Sequence, residues 1–201
     1  MRIVALEGPS YVGKTTAIDA LVSASLIPED VVFDCYVRDM PSGLDVPPPR
    51  TFSHDAQMAA FEVFMQIEGQ RIERLAQLVS IGTTPELVIL DRSVDTLLAH
   101  AYALDTLFDF GVWESARARL RSLPHLVPDR TIYLDAAPGC VRTRRERCGE
   151  DSAYFLHDSG FLAASRNYFL DSTTQLISRH IAVVSATGSR GQVQARVAAL
   201  L

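Results

Sequence analysis

The residues most suited to chemistry are Gly8-Pro9-Ser10-Tyr11-Val12-Gly13-Lys14-Thr15, which meet G-x-x-x-x-G-K-[ST] at every fixed position. Such a loop wraps phosphate oxygens in backbone N–H groups and sets the N-terminus of a helix against them. Its lysine reaches the β/γ oxygens, and its hydroxyl can ligate Mg²⁺. The flanks agree with this reading: the apolar run Ile3–Leu6 reads as a strand, and Thr15-Thr16-Ala17-Ile18 opens a helical pattern. Of 19 basic residues only Lys14 is lysine, so it stands where a compact ammonium is needed and a branched guanidinium will not serve. Gly8, Ser10, Tyr11, Val12, Gly13, Lys14, Thr15 and Thr16 are the expected phosphate-binding residues.

Two further clusters extend this chemistry. Val88-Ile89-Leu90-Asp91-Arg92-Ser93 ends an apolar run in an acid and a base. A carboxylate at the C-terminal end of a parallel strand is placed to hold Mg²⁺ with Thr15, and Arg92 would share its crevice. Arg142, Arg144, Arg145 and Arg147 follow a fourth strand and a Pro-Gly. They read as a short arginine-rich lid over residues 138–158, in which Arg144 and Arg147 meet the transferring phosphates. A solvated helix face with Arg142 paired to Glu146 is the plainer reading of the same residues.

These groups must be positioned by elements that alternate. Short, β-branched-rich runs at Ile3–Leu6, Val31–Phe33, Leu87–Leu90, Thr131–Leu134 and Ile181–Val184 are spaced by helical patterns at 14–26, 54–80, 94–122, 138–148, 159–179 and 190–200. Strands joined through helices imply a five-stranded parallel sheet covered on both faces, an α/β fold. At 201 residues, with 48 % hydrophobic and 21 % charged side chains, one domain spanning residues 1–201 can bury its own core. A net charge of −5 excludes a general nucleic-acid or membrane-surface binder. No apolar run reaches a membrane-spanning length. Cys35, Cys140 and Cys148 show no metal-ligand spacing, which fits a reducing, cytoplasmic setting. His54, His100, His125, His157 and His180 show none either, and Trp113 reads as packing.

Taken together, these stretches resemble the thymidylate kinase and deoxynucleoside kinase superfamily over most of the chain. The carrying residues are Leu6-Glu7-Gly8 through Thr16, Arg38-Asp39-Met40-Pro41-Ser42-Gly43, Arg71 about twenty residues before Asp91, Asp91 through His100, and Pro128 through Asp135 followed by Arg144. The resemblance implies a P-loop kinase fold, ATP and Mg²⁺, a nucleoside monophosphate or nucleoside acceptor, and a homodimer formed by helix packing. It places Glu7, Arg38, Phe64, Ile67, Arg71 and Arg92 at the acceptor. Four positions depart from it: Ser10 replaces an Asp, Ser93 an aromatic, Ile67 a base-stacking Phe, and Ala101 a Gln.

Chemistry separates the acceptors. A monophosphate needs arginines to neutralise and aim it, which favours thymidylate-kinase-like transfer with Arg38, Arg71 and Arg92. A nucleoside hydroxyl needs a carboxylate base instead, and Glu7 is the residue at hand. A non-catalytic ATP-bound regulatory protein is the third class, and a guanine-reading switch is excluded because its Asn-Lys-x-Asp segment needs a second lysine. On the phosphate-loop reading, Lys14→Ala abolishes turnover with the fold retained by circular dichroism. Lys14→Arg fails nearly as badly, and near-full activity in that variant refutes the loop assignment.

Overall fold

The computed structural model describes residues 1–40, 53–82, 84–149 and 158–201. Its strands are β1 (Arg2–Glu7), β2 (Val32–Phe33), β3 (Leu87–Asp91), β4 (Arg130–Asp135) and β5 (Ile181–Ser185), all parallel in the order β2-β3-β1-β4-β5. The helices are α1 (Lys14–Ser23), α2 (His54–Ser80), α3 (Val94–Phe108), α4 (Val112–Arg121), α5 (Pro138–Arg147), α6 (Ser159–Leu170) and α7 (Arg190–Ala198). The chain builds β2 and β3 on one side of β1, then crosses to β4 and β5 on the other. Ligand crevices of open parallel sheets form at such a reversal, beyond the carboxyl ends of the strands. Registry fixes which residues arrive there, for Leu6 pairs with Asp91 and Glu7 with Tyr133.

Both faces of the sheet are covered because successive side chains alternate. Val4, Leu6, Ile89, Ile132, Leu134 and Val184 pack with α1 and α7 on one face. Ile3, Ala5, Phe33, Val88 and Leu90 meet Leu75 of α2 on the other. A third cluster joins α2, α3, α4 and α6 through Phe61, Leu98, Leu120 and Tyr168.

Three local expectations are corrected. The pattern at 94–122 is two helices, broken where Asp109 (φ 54°) and Gly111 (φ 70°) turn left-handed. Asp105 then caps α4, accepting from Val112 N at 2.9 Å and Trp113 N at 2.7 Å, which makes two packed helices out of one apolar periodicity. The helix expected to 179 stops at Leu170, where Asp171 accepts from Thr173 N and Oγ1, each at 2.8 Å. And β5 is an edge strand with Ile181 and Val183 exposed, so its apolar run does not mean burial on both faces.

Gly8 leaves β1 with φ 129°, and a Cβ there would stand 2.6 Å from the Leu134 carbonyl oxygen. Gly13 has φ 100° but open space around it. Gly8→Ala is therefore expected to lose about 2–4 kcal/mol, from strain plus overlap with β4, and Gly13→Ala only the strain. Urea unfolding of the two variants checks the ranking.

Candidate active site

The loop between β1 and α1 is drawn around a point charge. Lys14 Nζ donates to the carbonyls of Gly8 at 2.8 Å and Pro9 at 2.9 Å, bending the loop back over the start of α1. Tyr11 (φ 64°) and Gly13 (φ 100°) take left-handed backbone, so Gly13 serves as N-cap with no side-chain hydrogen bond. Burial and the nearby Arg92 guanidinium push the Lys14 ammonium down to about 7. An anion placed in the loop reverses that penalty.

Thr15 Oγ1 donates to Asp91 Oδ2 at 2.9 Å, joining the head of α1 to the tip of β3. The other oxygen, Asp91 Oδ1, is buried with no hydrogen-bond partner. A buried carboxylate oxygen without a donor, beside a hydroxyl at the phosphate loop, fits Mg²⁺ or its waters. Among the described residues no group of three His, Cys, Asp or Glu side chains could hold a metal.

Glu7 ends β1 with no exposed surface. Its Oε1 accepts from Ser93 N at 2.7 Å and Ser93 Oγ at 2.9 Å, and its Oε2 accepts from Thr96 Oγ1. Burial raises its pKa, which the Thr96 and Ser93 bonds oppose. Arg92 carries φ 75° and directs Nη2 toward Ser10 Oγ at 3.5 Å. Glu7, Ser10, Lys14, Thr15, Asp91 and Arg92 thus gather at one end of the sheet.

No protein-family model matches the sequence, and no curated protein matches it by sequence. Solved structures do. A deoxyadenosine kinase from M. mycoides with bound dATP has a TM-score of 0.65 and 14 % identity, covering 97 % of this chain and 96 % of that one. A structure of the same enzyme with the products dCMP and a flexible dCDP has a TM-score of 0.59 and 11 % identity over the same shares. The chain has the P-loop deoxynucleoside kinase fold.

Within this fold several expected site residues are buried or already engaged with the protein itself. Ile67 is fully buried in the cluster with Phe61, Met65 and Tyr36, so it presents no surface to an acceptor. Phe64 is half-buried and packs edge-on against Tyr36 at 5.9 Å. Arg38 is exposed and paired to Asp34 at 3.5 Å. Arg71 is 2 % exposed and already neutralised: Nε meets Asp39 Oδ2 at 3.3 Å, Nη1 meets Glu68 Oε2 at 3.5 Å, and its plane lies 4.0 Å over the Tyr36 ring. Arg144 is no free cation either. It donates to the carbonyls of Tyr11, Val12 and Ala186 at 3.4, 3.3 and 2.7 Å, binding the phosphate loop to the turn after β5. Arg147 is exposed at the end of α5. Residues 150–157 of the expected lid lie outside the described residues, as do Pro41, Ser42 and Gly43.

The surroundings of four other residues come into view only in three dimensions. Asp39 stands against Arg71 with its side chain 25 % exposed, and burial raises its carboxyl. Arg145 is buried on α5 with Nε lacking a hydrogen bond. His100 meets Gln57 Oε1 at 3.3 Å, and burial with the Arg92 charge pushes it down to about 4, which keeps it neutral. Asp95 is buried and accepts from Tyr168 Oη at 2.6 Å, Ile177 N at 2.9 Å and Ser178 N at 3.0 Å. Arg145 belongs to the expected arginine cluster, and Asp39, Asp95 and His100 lie in stretches that carry the resemblance; what the spacing does not mark is the partners of those three, which are far away in the chain.

Lys14 supplies a signed pH test. Its free-state pKa of about 7 leaves it mostly neutral at pH 8.5, and a bound triphosphate restores the charged form. Nucleotide binding at pH 8.5 should then take up close to one proton, with affinity falling as pH rises above about 7. Calorimetry in two buffers of different ionisation heat measures the uptake; identical heats refute it.

Proposed function

We propose that the chain, acting as one domain over residues 1–201, transfers the γ-phosphoryl group of ATP to a nucleoside hydroxyl. The carrying observation is the charge state of the acceptor side. Arg71 is spent on Asp39 and Glu68, and Arg38 pairs with Asp34, so the positive charge that a phosphorylated acceptor demands is already balanced. A neutral hydroxyl needs a proton acceptor instead. Glu7, the acid that the spacing favours, is sealed from solvent with both oxygens occupied. Asp39 is partly exposed with a raised pKa, and is our choice of base.

In this reading the loop from Gly8 to Thr16 and the Lys14 ammonium hold the β- and γ-phosphates, and Arg92 stabilises the transferring group. Mg²⁺ held by Thr15 and Asp91 would supply charge neutralisation between the β- and γ-oxygens. Arg145, buried and short of partners, joins Arg147 in the expected lid. Likeness to an enzyme whose structures hold dATP, dCMP and dCDP supports a nucleoside or nucleotide acceptor. Two features extend the proposal: a cytoplasmic location, and a homodimer through the faces of α2 and α3, which gel filtration would test.

A monophosphate acceptor, thymidylate-kinase-like, is the second reading, favoured by Arg92, whose guanidinium makes only the long contact to Ser10 among the described residues. ATP consumption across deoxynucleosides and their monophosphates separates the two. The expected result is turnover of nucleosides above monophosphates, with Asp39→Asn lowering kcat by roughly 10²–10⁴ and Arg92→Ala by about 10². Turnover of monophosphates alone, indifferent to Asp39→Asn, installs the second reading.

A further inference from the structure

Arg92 joins an unusual backbone to a site-directed side chain. Its φ of 75° lies in the left-handed region that is unfavourable for any residue with a Cβ. Non-glycine residues keep such backbone only where their surroundings over-determine it. Three hydrogen bonds do so here. Arg92 N donates to the Leu6 carbonyl at 3.1 Å. The next peptide unit is gripped at both ends: Ser93 N donates to Glu7 Oε1 at 2.7 Å, and the Arg92 carbonyl accepts from Arg71 Nη1 at 3.1 Å. Turning Arg92 to negative φ swings a flanking peptide and breaks a bond to a buried charge.

Arg71 is built for this task. Besides the Arg92 carbonyl, its guanidinium meets the Asp34 carbonyl, Asp39 Oδ2 and Glu68 Oε2. Glu68 is in turn fixed by Tyr36 Oη at 3.0 Å and Leu126 N at 2.8 Å. A planar fork of five N–H donors spans four acceptors in set directions, as a tetrahedral ammonium does not. Every nitrogen is committed within the protein.

We propose that Arg71 is a positioning residue for phosphoryl transfer. With Glu7 as the opposing jaw, it clamps the Arg92–Ser93 peptide and so fixes the left-handed backbone from which Arg92 reaches the phosphate loop. The inference rests on the reading of Arg92 as the residue that meets the transferring group, and it moves Arg71 from acceptor binding to the support of Arg92.

Two measurements test it. The first is independent of activity: melting temperatures of Arg92→Gly and Arg92→Ala, each with and without Arg71→Met. With Arg71 present, Arg92→Gly should melt above Arg92→Ala, because glycine alone is unstrained at this φ. In the Arg71→Met background the advantage should vanish or reverse, since position 92 is released; an equal advantage in both backgrounds overturns the clamp. The second is kinetic. Arg71→Met should lower kcat about tenfold or more with both KM values within about threefold, and most of that loss should disappear in the Arg92→Ala background, the remainder passing through Asp39, which Arg71 also contacts. A raised acceptor KM at unchanged kcat, or a loss that adds in full to Arg92→Ala, overturns the proposal. If Arg71→Met does not fold, Arg71→Lys, which keeps the charge but not the fork, carries both measurements. Should no acceptor be phosphorylated, the kinase reading falls, while the melting cycle still decides the clamp.

Discussion

Glu7 ends the central strand without any exposed surface, and a carboxylate so placed must be met by donors or lose its charge. Those donors come from one short stretch, Ser93 and Thr96. The tip of β1 is thereby bound to the start of α3, and the turn between β3 and α3 has little freedom left. Arg92 occupies that turn, directly after Asp91, which strand pairing places beside Leu6, so the left-handed backbone of Arg92 is held in part by the satisfaction of one buried carboxylate. Ser93 contributes twice, as the N-cap of α3 and as a double donor to Glu7. Aromatic residues lack that short hydroxyl, which gives the departure at position 93 a physical reason.

The same logic governs the charges that α2 brings beneath this turn. Arg71, Glu68 and Tyr36 form a buried, hydrogen-bonded group with the partly exposed Asp39 at its edge. Buried ions are tolerated only when paired and hydrogen-bonded, so the charges of Arg71 and Glu68 are satisfied by one another and by their neighbours. The contrast with Lys14 is informative. Among the described residues its hydrogen-bond partners are two carbonyls, and burial and the nearby Arg92 charge lower its pKa.

Arg144 shows how a site can be stiffened from outside. By binding Tyr11, Val12 and Ala186 carbonyls it joins α5, the phosphate loop and the turn after β5. The carbonyls of the loop are shared between two cations: Lys14 meets those of Gly8 and Pro9, and Arg144 those of Tyr11 and Val12. Arg145, one residue on, is buried with its Nε unmatched, so two adjacent arginines of one helix do different work.

Local chemistry was legible in the chain itself. The phosphate loop, all five strands and the 54–80 helix follow from residue types at fixed short spacing, because steric preference, apolar periodicity and a glycine's freedom act over a few residues. The acid-base pair at Asp91 and Arg92 was visible for the same reason. What the tertiary structure alone decided is which charges are spent. Arg71 and Glu7 look available in the sequence, yet their partners lie at Asp39, Glu68, Ser93 and Thr96, and for Glu7 these stand more than eighty residues away. The break after Phe108 was likewise hidden, since Asp105 caps α4 only once the chain has turned. Apolar periodicity records where a side chain goes; the pairing of charges depends on which strands lie side by side, and that is set by the assembled sheet.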